Sequence, residues 1–168
     1  MTKPNPANPT LSISRPDLAS ALEQIGAEIE HQPLRSSALA RIMRETFHGS
    51  DAGGAWDWRM AYDLMQATAV QALLRGDNSE DDYYAAKLLA SRLLTETRRS
   101  EQQIRLQQFS TPLPFAALTV RAAAIRKGET VLEPSAGTGA PAAFAARAGA
   151  TLLLNEIDPF RQRLLRAV

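Results

Sequence analysis

Two short apolar runs constrain this chain more than any other feature of its sequence. Thr130-Val131-Leu132 and Thr151-Leu152-Leu153-Leu154 are β-type segments. Between them lie a glycine-bearing turn, Glu133-Pro134-Ser135-Ala136-Gly137-Thr138-Gly139, and a helix of small residues from Ala142 to Ala148, broken at Gly149. Helix, strand, helix, strand and helix in that order, with apolar strands, predict the opening of a parallel α/β sheet. A short amphipathic helix over residues 115–126 (Phe115, Leu118, Thr119, Ala122, Ile125) precedes the unit, ended by Lys127-Gly128. A last helix from Phe160 to Val168 follows it, with Pro159 at its start.

Upstream the pattern is helical. Residues 1–15 carry prolines and no periodicity, and read as a mobile tail. Arg15-Pro16-Asp17 opens a helix with Leu18, Leu22, Ile25 and Ile29 on one face, stopped by Gln32-Pro33. A second helix is expected from Ser36 or Ser37 to Phe47, with Leu39, Ile42 and Met43 inward. A third opens at Trp56-Asp57-Trp58 and ends near Arg75-Gly76. A long fourth helix is expected from Asn78 or Ser79 to about Gln107, with Tyr84/Leu88 and Leu89/Leu93 as pairs one turn apart. Phe109-Ser110-Thr111-Pro112-Leu113-Pro114 then breaks helicity. The expected division is a tail over 1–15, a helical subdomain over 16–107 and an α/β region over 108–168.

Composition removes several classes of function. The 168 residues contain no cysteine, which excludes disulfide scaffolds, thiolate zinc sites and cysteine nucleophiles. Two histidines, His31 and His48, make a metal centre a weak prospect, and none is assigned. No apolar run approaches the ~20 residues of a membrane span, and Met1-Thr2-Lys3-Pro4-Asn5-Pro6 lacks the apolar stretch of a secretory signal. The expectation is a cytoplasmic chain without a membrane partner. Residues 101–168 are net +3 against −2 before them, too small an excess to identify nucleic acid by itself. Trp56, Trp58, Tyr83 and Tyr84 read as helix-packing anchors, and Arg98, Arg99 and Arg105 as a solvated helix face.

The chemistry concentrates in residues 130–158. A strand feeding a Gly-x-Gly turn and a helix brings backbone close to a ligand, with helix amides facing it. Glu156, 19 residues after Gly137, ends the second strand where an acidic side chain can chelate a ribose diol. A phosphate-binding loop would need a Lys after its last glycine, and none follows Gly137 or Gly139. A dinucleotide fingerprint tolerates the glycine spacing, but Glu133 would repel a pyrophosphate and welcome an ammonium group. S-adenosylmethionine combines an α-ammonium, a sulfonium and an adenosine diol with no phosphate, and the acid–glycine–acid order favours it.

Val131-Leu132-Glu133-Pro134-Ser135-Ala136-Gly137-Thr138-Gly139 resembles the first signature of class I methyltransferases, and Leu154-Asn155-Glu156-Ile157-Asp158-Pro159 their second. Gln108-Phe109-Ser110-Thr111-Pro112 resembles the segment that precedes the first strand in DNA adenine amino-methyltransferases. The wording is similar to the methylase region of strawberry notch-like methylase–helicase proteins, over about residues 105–168. This resemblance implies an α/β fold: an N-terminal helical subdomain followed by the first, incomplete part of a Rossmann-like methyltransferase domain. It implies S-adenosylmethionine as cofactor. Thr111 and Pro112 would bound the methionine carboxylate, Glu133 would face the ammonium, and Gly137 and Gly139 would pass under the methionine portion. Glu156 would hold the ribose and Ile157 would pack on adenine, with Pro134 and Ala136 completing the loop. Pro141 departs from the family, whose helices more often carry an ordinary apolar residue there.

Amino-methylation of a base also needs an Asp/Asn/Ser-Pro-Pro-aromatic motif to hold the target amine and stack on the extruded base. The sequence contains no Pro-Pro pair; Asn5-Pro6, Asn8-Pro9 and Asp158-Pro159-Phe160 are decoys. No catalytic residue is therefore assigned. The expectation is a truncated, cofactor-binding N-terminal part, inactive alone, of a nucleic-acid methyltransferase with DNA as the foremost partner. Its other partners would be the remainder of the methyltransferase and a helicase domain. The alternatives are a non-catalytic helical interaction module with a vestigial nucleotide-binding unit, and a piece of an NAD-binding oxidoreductase.

Overall fold

Side-chain caps set four of the seven helix starts in the computed structural model, which describes residues 14–77, 81–98, 104 and 109–168. Helix α1 spans Arg15–His31. The Ser14 hydroxyl accepts the Asp17 N–H at 3.2 Å, Pro16 lies in the first turn, and Leu18, Ala21, Leu22, Ile25 and Ile29 form the buried face. Helix α2, Ser36–Thr46, buries Leu39, Ile42 and Met43 as expected. The central helix α3, Trp58–Arg75, starts where Asp57 accepts the Met60 N–H at 2.7 Å. It is buried around most of its circumference, which makes it the interior helix of the molecule. Trp56 is buried as an anchor and donates its indole N–H to the Gly49 carbonyl.

Helix α4 differs from the sequence expectation. It starts after Asp81, which accepts the Tyr83 N–H, and ends at Ala90; the chain then turns and runs without helix through Arg98. No glycine or proline stops it. Arg92 does so from a distance: its guanidinium donates to the Ile29 and Glu30 carbonyls at the end of α1, and its own carbonyl accepts the Leu34 N–H. Tyr84 and Leu88 stand in solvent rather than anchoring a packed face. Arg98 lies off any helix, over the Trp58 ring at 4.5 Å. The tail over 1–13, the expected start at Asn78 or Ser79, and Arg99 and Arg105 fall outside the described residues.

Helix α5, Leu113–Ala122, begins two residues before its expected start, because Pro112 caps it and Pro114 fits its first turn. It stops four residues early, and Ala124 beyond it has a left-handed φ of 52°. Strand β1 (Thr130–Glu133), helix α6 (Ala140–Arg147) and strand β2 (Thr151–Leu154) then form a parallel β-α-β unit with Thr130 opposite Thr151 and Glu133 opposite Leu154. Helix α7, Pro159–Ala167, follows. The described residues thus make a mixed α/β molecule, with seven helices and one two-stranded parallel sheet. Among them no helix is long and apolar enough to cross a membrane.

Two buried clusters flank α3. One joins α1, α2 and the first half of α3 with Phe160 and Leu164 of α7. The other joins Ala69, Val70 and Leu73 of α3 with Ala86, Leu113, Ala116 and Phe144 from α4, α5 and α6. Helical residues and the β-α-β unit therefore share their cores across residue 107. The sheet itself is covered thinly: Leu132 and Leu153 are more than half exposed.

Candidate functional site

The two strands end side by side, and their ends are laced together. The Asn155 N–H donates to the Glu133 carbonyl at 2.9 Å, the Ala136 N–H donates to the Asn155 carbonyl at 2.9 Å, and Asn155 Nδ2 donates to the Pro134 carbonyl at 3.0 Å. Between β1 and α6 the chain passes through Gly137 at φ 58° and Gly139 at φ 96°, conformations that side chains with a Cβ rarely adopt. Gly139 is the N-cap of α6, and Pro141 falls in its first turn, where a missing N–H leaves no bond unmade.

Both acids address this loop. Glu133 Oε1 accepts the Ser135 N–H at 3.1 Å from a half-buried position. Glu156 is buried, with Oε2 accepting the Gly137 N–H and Oε1 the Asp158 N–H, each at 2.7 Å. The carboxylates thus bond amides two residues apart, beyond the C-terminal ends of the two strands. Ala136 and Thr138 are buried beneath the loop, and Ile157 projects outward at 74% exposure. Pro134 is exposed at the turn. Thr111 and Pro112 are exposed, and the Pro112 carbonyl accepts the Phe115 and Ala116 N–H groups. They bound α5, and among the described residues no hydrogen bond links them to the glycine loop.

Sequence reasoning missed the charges behind the loop. Arg59 and Asp63, one turn apart on α3, meet Asp158 and Arg161 at the start of α7, and all four are at least 94% buried. Arg161 donates Nε and Nη2 to Asp63 Oδ1 at 3.0 and 2.7 Å. Arg59 Nη2 pairs with Asp158, and its Nε lies 3.7 Å from Asp63. Asp158 is also the N-cap of α7, accepting the Phe160 and Arg161 N–H groups at 2.9 and 3.0 Å. The available signal was a pair of opposite charges one turn apart in the most apolar part of a helix.

Burial pushes Asp63 up to about 6, and the two arginines only partly offset it. Burial acts the same way on Asp158, but the Arg161 amide, the Arg59 guanidinium and the Phe160 amide outweigh it and hold that carboxyl below its ordinary range. Burial disfavours the Arg161 cation; Asp63 more than compensates, so its affinity for the proton rises.

A separate groove of about 1070 Å3 runs between α1, α3 and α7, lined by Leu18, Gly26, Gln71, Arg75, Arg163 and Arg166 among others, and the glycine loop does not line it. Among the described residues no three His, Asp or Glu side chains gather as metal ligands. No family model matches the chain, and comparison with curated proteins and with solved structures finds no match.

Proposed function

We propose that the Glu133–Gly139 loop and Glu156 form the cofactor-binding part of an S-adenosylmethionine-dependent methyltransferase acting on nucleic acid, with a DNA adenine amino group as the foremost target. The carrying observation is the pairing of two carboxylates with one bare-backbone turn. Glu156 occupies the Gly137 amide, which a dinucleotide-binding turn would offer to a pyrophosphate. A phosphate placed there would face Glu133 as well. A ligand with a cationic amine and a neutral diol meets no such repulsion.

Each Glu156 oxygen keeps a second lone pair after taking one amide, so it can accept a ribose hydroxyl without releasing the loop. Glu133 would attract the ammonium, Gly137 and Gly139 would let the methionine portion lie close to backbone, and exposed Ile157 would supply an apolar face for adenine. Pro134 and Ala136 would form the wall of the turn, and Thr111 and Pro112 would bound the carboxylate end. When bound, S-adenosylmethionine supplies a methyl group on a sulfonium for transfer to an amino nitrogen. The protein's part is orientation and charge placement. These 168 residues include no Pro-Pro-aromatic motif to hold a base, so the expected activity is cofactor binding without turnover by this chain alone.

Titration calorimetry with S-adenosylhomocysteine tests the proposal. Saturable heat that Glu156→Ala abolishes supports it. Absence of heat favours a helical interaction module whose β-α-β unit binds nothing, and protection by NAD instead favours an oxidoreductase piece. Methyl transfer to DNA by the isolated chain would overturn the expected lack of turnover.

A further inference from the structure

The buried quartet behind the loop is more than packing requires. Apolar side chains of similar volume would hold α7 against α3 without desolvating four charges. Its placement suggests another task. Arg161 Nη1 lies 3.9 Å from the point where a Cβ on Gly137 would stand, and the Glu156 carboxylate acts on the same guanidinium. One cation thus lies between Asp63, on a helix of the N-terminal layer, and the acid that orients the glycine loop.

We infer that Asp63 is a positioning residue for the candidate cofactor loop: by holding Arg161 it leaves the Glu156 carboxylate to the Gly137 amide and to a ligand. The loop geometry stands on the contacts above; the identity of the ligand rests on the proposed function. With Asp63 ionised, two anions of the quartet balance two cations. With Asp63 protonated, Arg161 turns its charge to Glu156, and the carboxylate gives up lone pairs that serve Gly137 and the ligand. The charged groups that act on Asp63 are Arg161, Arg59 and Asp158. Asp158 is held below its ordinary range and stays ionised while Asp63 titrates at about 6. Ligand affinity is therefore high above that value and falls below it.

The test follows two quantities in the wild-type chain from about pH 5 to about pH 7.5, a window that brackets the raised carboxyl and lies above ordinary carboxylates. One is the affinity for S-adenosylhomocysteine. The other is the Gly137 amide resonance without ligand, read beside the Asp63 side-chain carboxyl resonance. The expected result is a common midpoint near 6 for both resonances. Affinity should fall by up to about tenfold per pH unit below the midpoint, the limit for one linked proton. Asp63→Asn should flatten both profiles. A Gly137 resonance that does not follow Asp63 overturns the inference, as does a folded Asp63→Asn chain that keeps the full pH dependence. Should that variant fail to fold, the paired wild-type resonances decide alone. A Gly137 resonance that follows Asp63 without binding of S-adenosylhomocysteine supports the positioning role and overturns the ligand assignment instead.

Discussion

Asp63 holds its proton more tightly than an ordinary carboxyl group, because burial penalises its charge more than Arg161 and Arg59 favour it. Its folded value of about 6 lies above the ordinary 3.8, so between these the folded chain holds a proton that the unfolded chain has released. The stability from this proton is fully present below 3.8 and is lost as pH rises through about 6; at about 1.4 kcal/mol per unit it amounts to about 3 kcal/mol. Asp158 has the opposite sense, stabilising above its unfolded value and losing that contribution only as pH falls through its depressed folded one. The interval from 3.8 to 6 therefore isolates Asp63. Urea unfolding of wild type and Asp63→Asn across it should show the wild type losing about 3 kcal/mol relative to the variant as pH rises. A constant difference would refute the assignment. At this scale the two glycines and Glu133 were readable from their immediate neighbours, and Glu156 from its place at the end of the second apolar run, though not its bond to the Gly137 amide 19 residues away. Arg59 and Arg161 were not, because their partners on the other element stand 99 and 98 residues away.

Elements followed the same division. Ser14, Asp57 and Asp158 each cap a helix through their own side chains, and Pro16, Pro114, Pro141 and Pro159 sit in first turns that tolerate them. Those starts follow from a few neighbouring residues. The end of α4 does not: its sequence favours continuation, and the Arg92 contacts with the end of α1 override it. Replacing Arg92 with Ala removes donors to the Ile29 and Glu30 carbonyls. The expected cost is about 1–3 kcal/mol by chemical denaturation, with faster amide exchange at Leu34, whose N–H bonds the Arg92 carbonyl. Unchanged exchange there would show that the turn after α4 holds without the guanidinium.

For the whole molecule, the decisive feature is that α3 serves both cores. Phe144, fully buried on α6, packs with Ala69, Val70 and Leu73, whereas Trp56 belongs to the cluster on the other side. Phe144→Ala should cost about 3–5 kcal/mol and shift tryptophan-monitored unfolding as far as it shifts the circular-dichroism transition. A tryptophan transition left in place would mean that the helical layer unfolds on its own. Periodicity, caps and prolines determined most helix starts and the glycine turn after Glu133, because each depends on residues within a few positions of one another, and the helix between the two apolar runs determined their parallel pairing. The packing of α3 against α7, the inward turn of Glu156 and the charge quartet beneath the loop arose only when distant segments met. Burial and ion pairing depend on proximity in space, and local pattern carries no record of it.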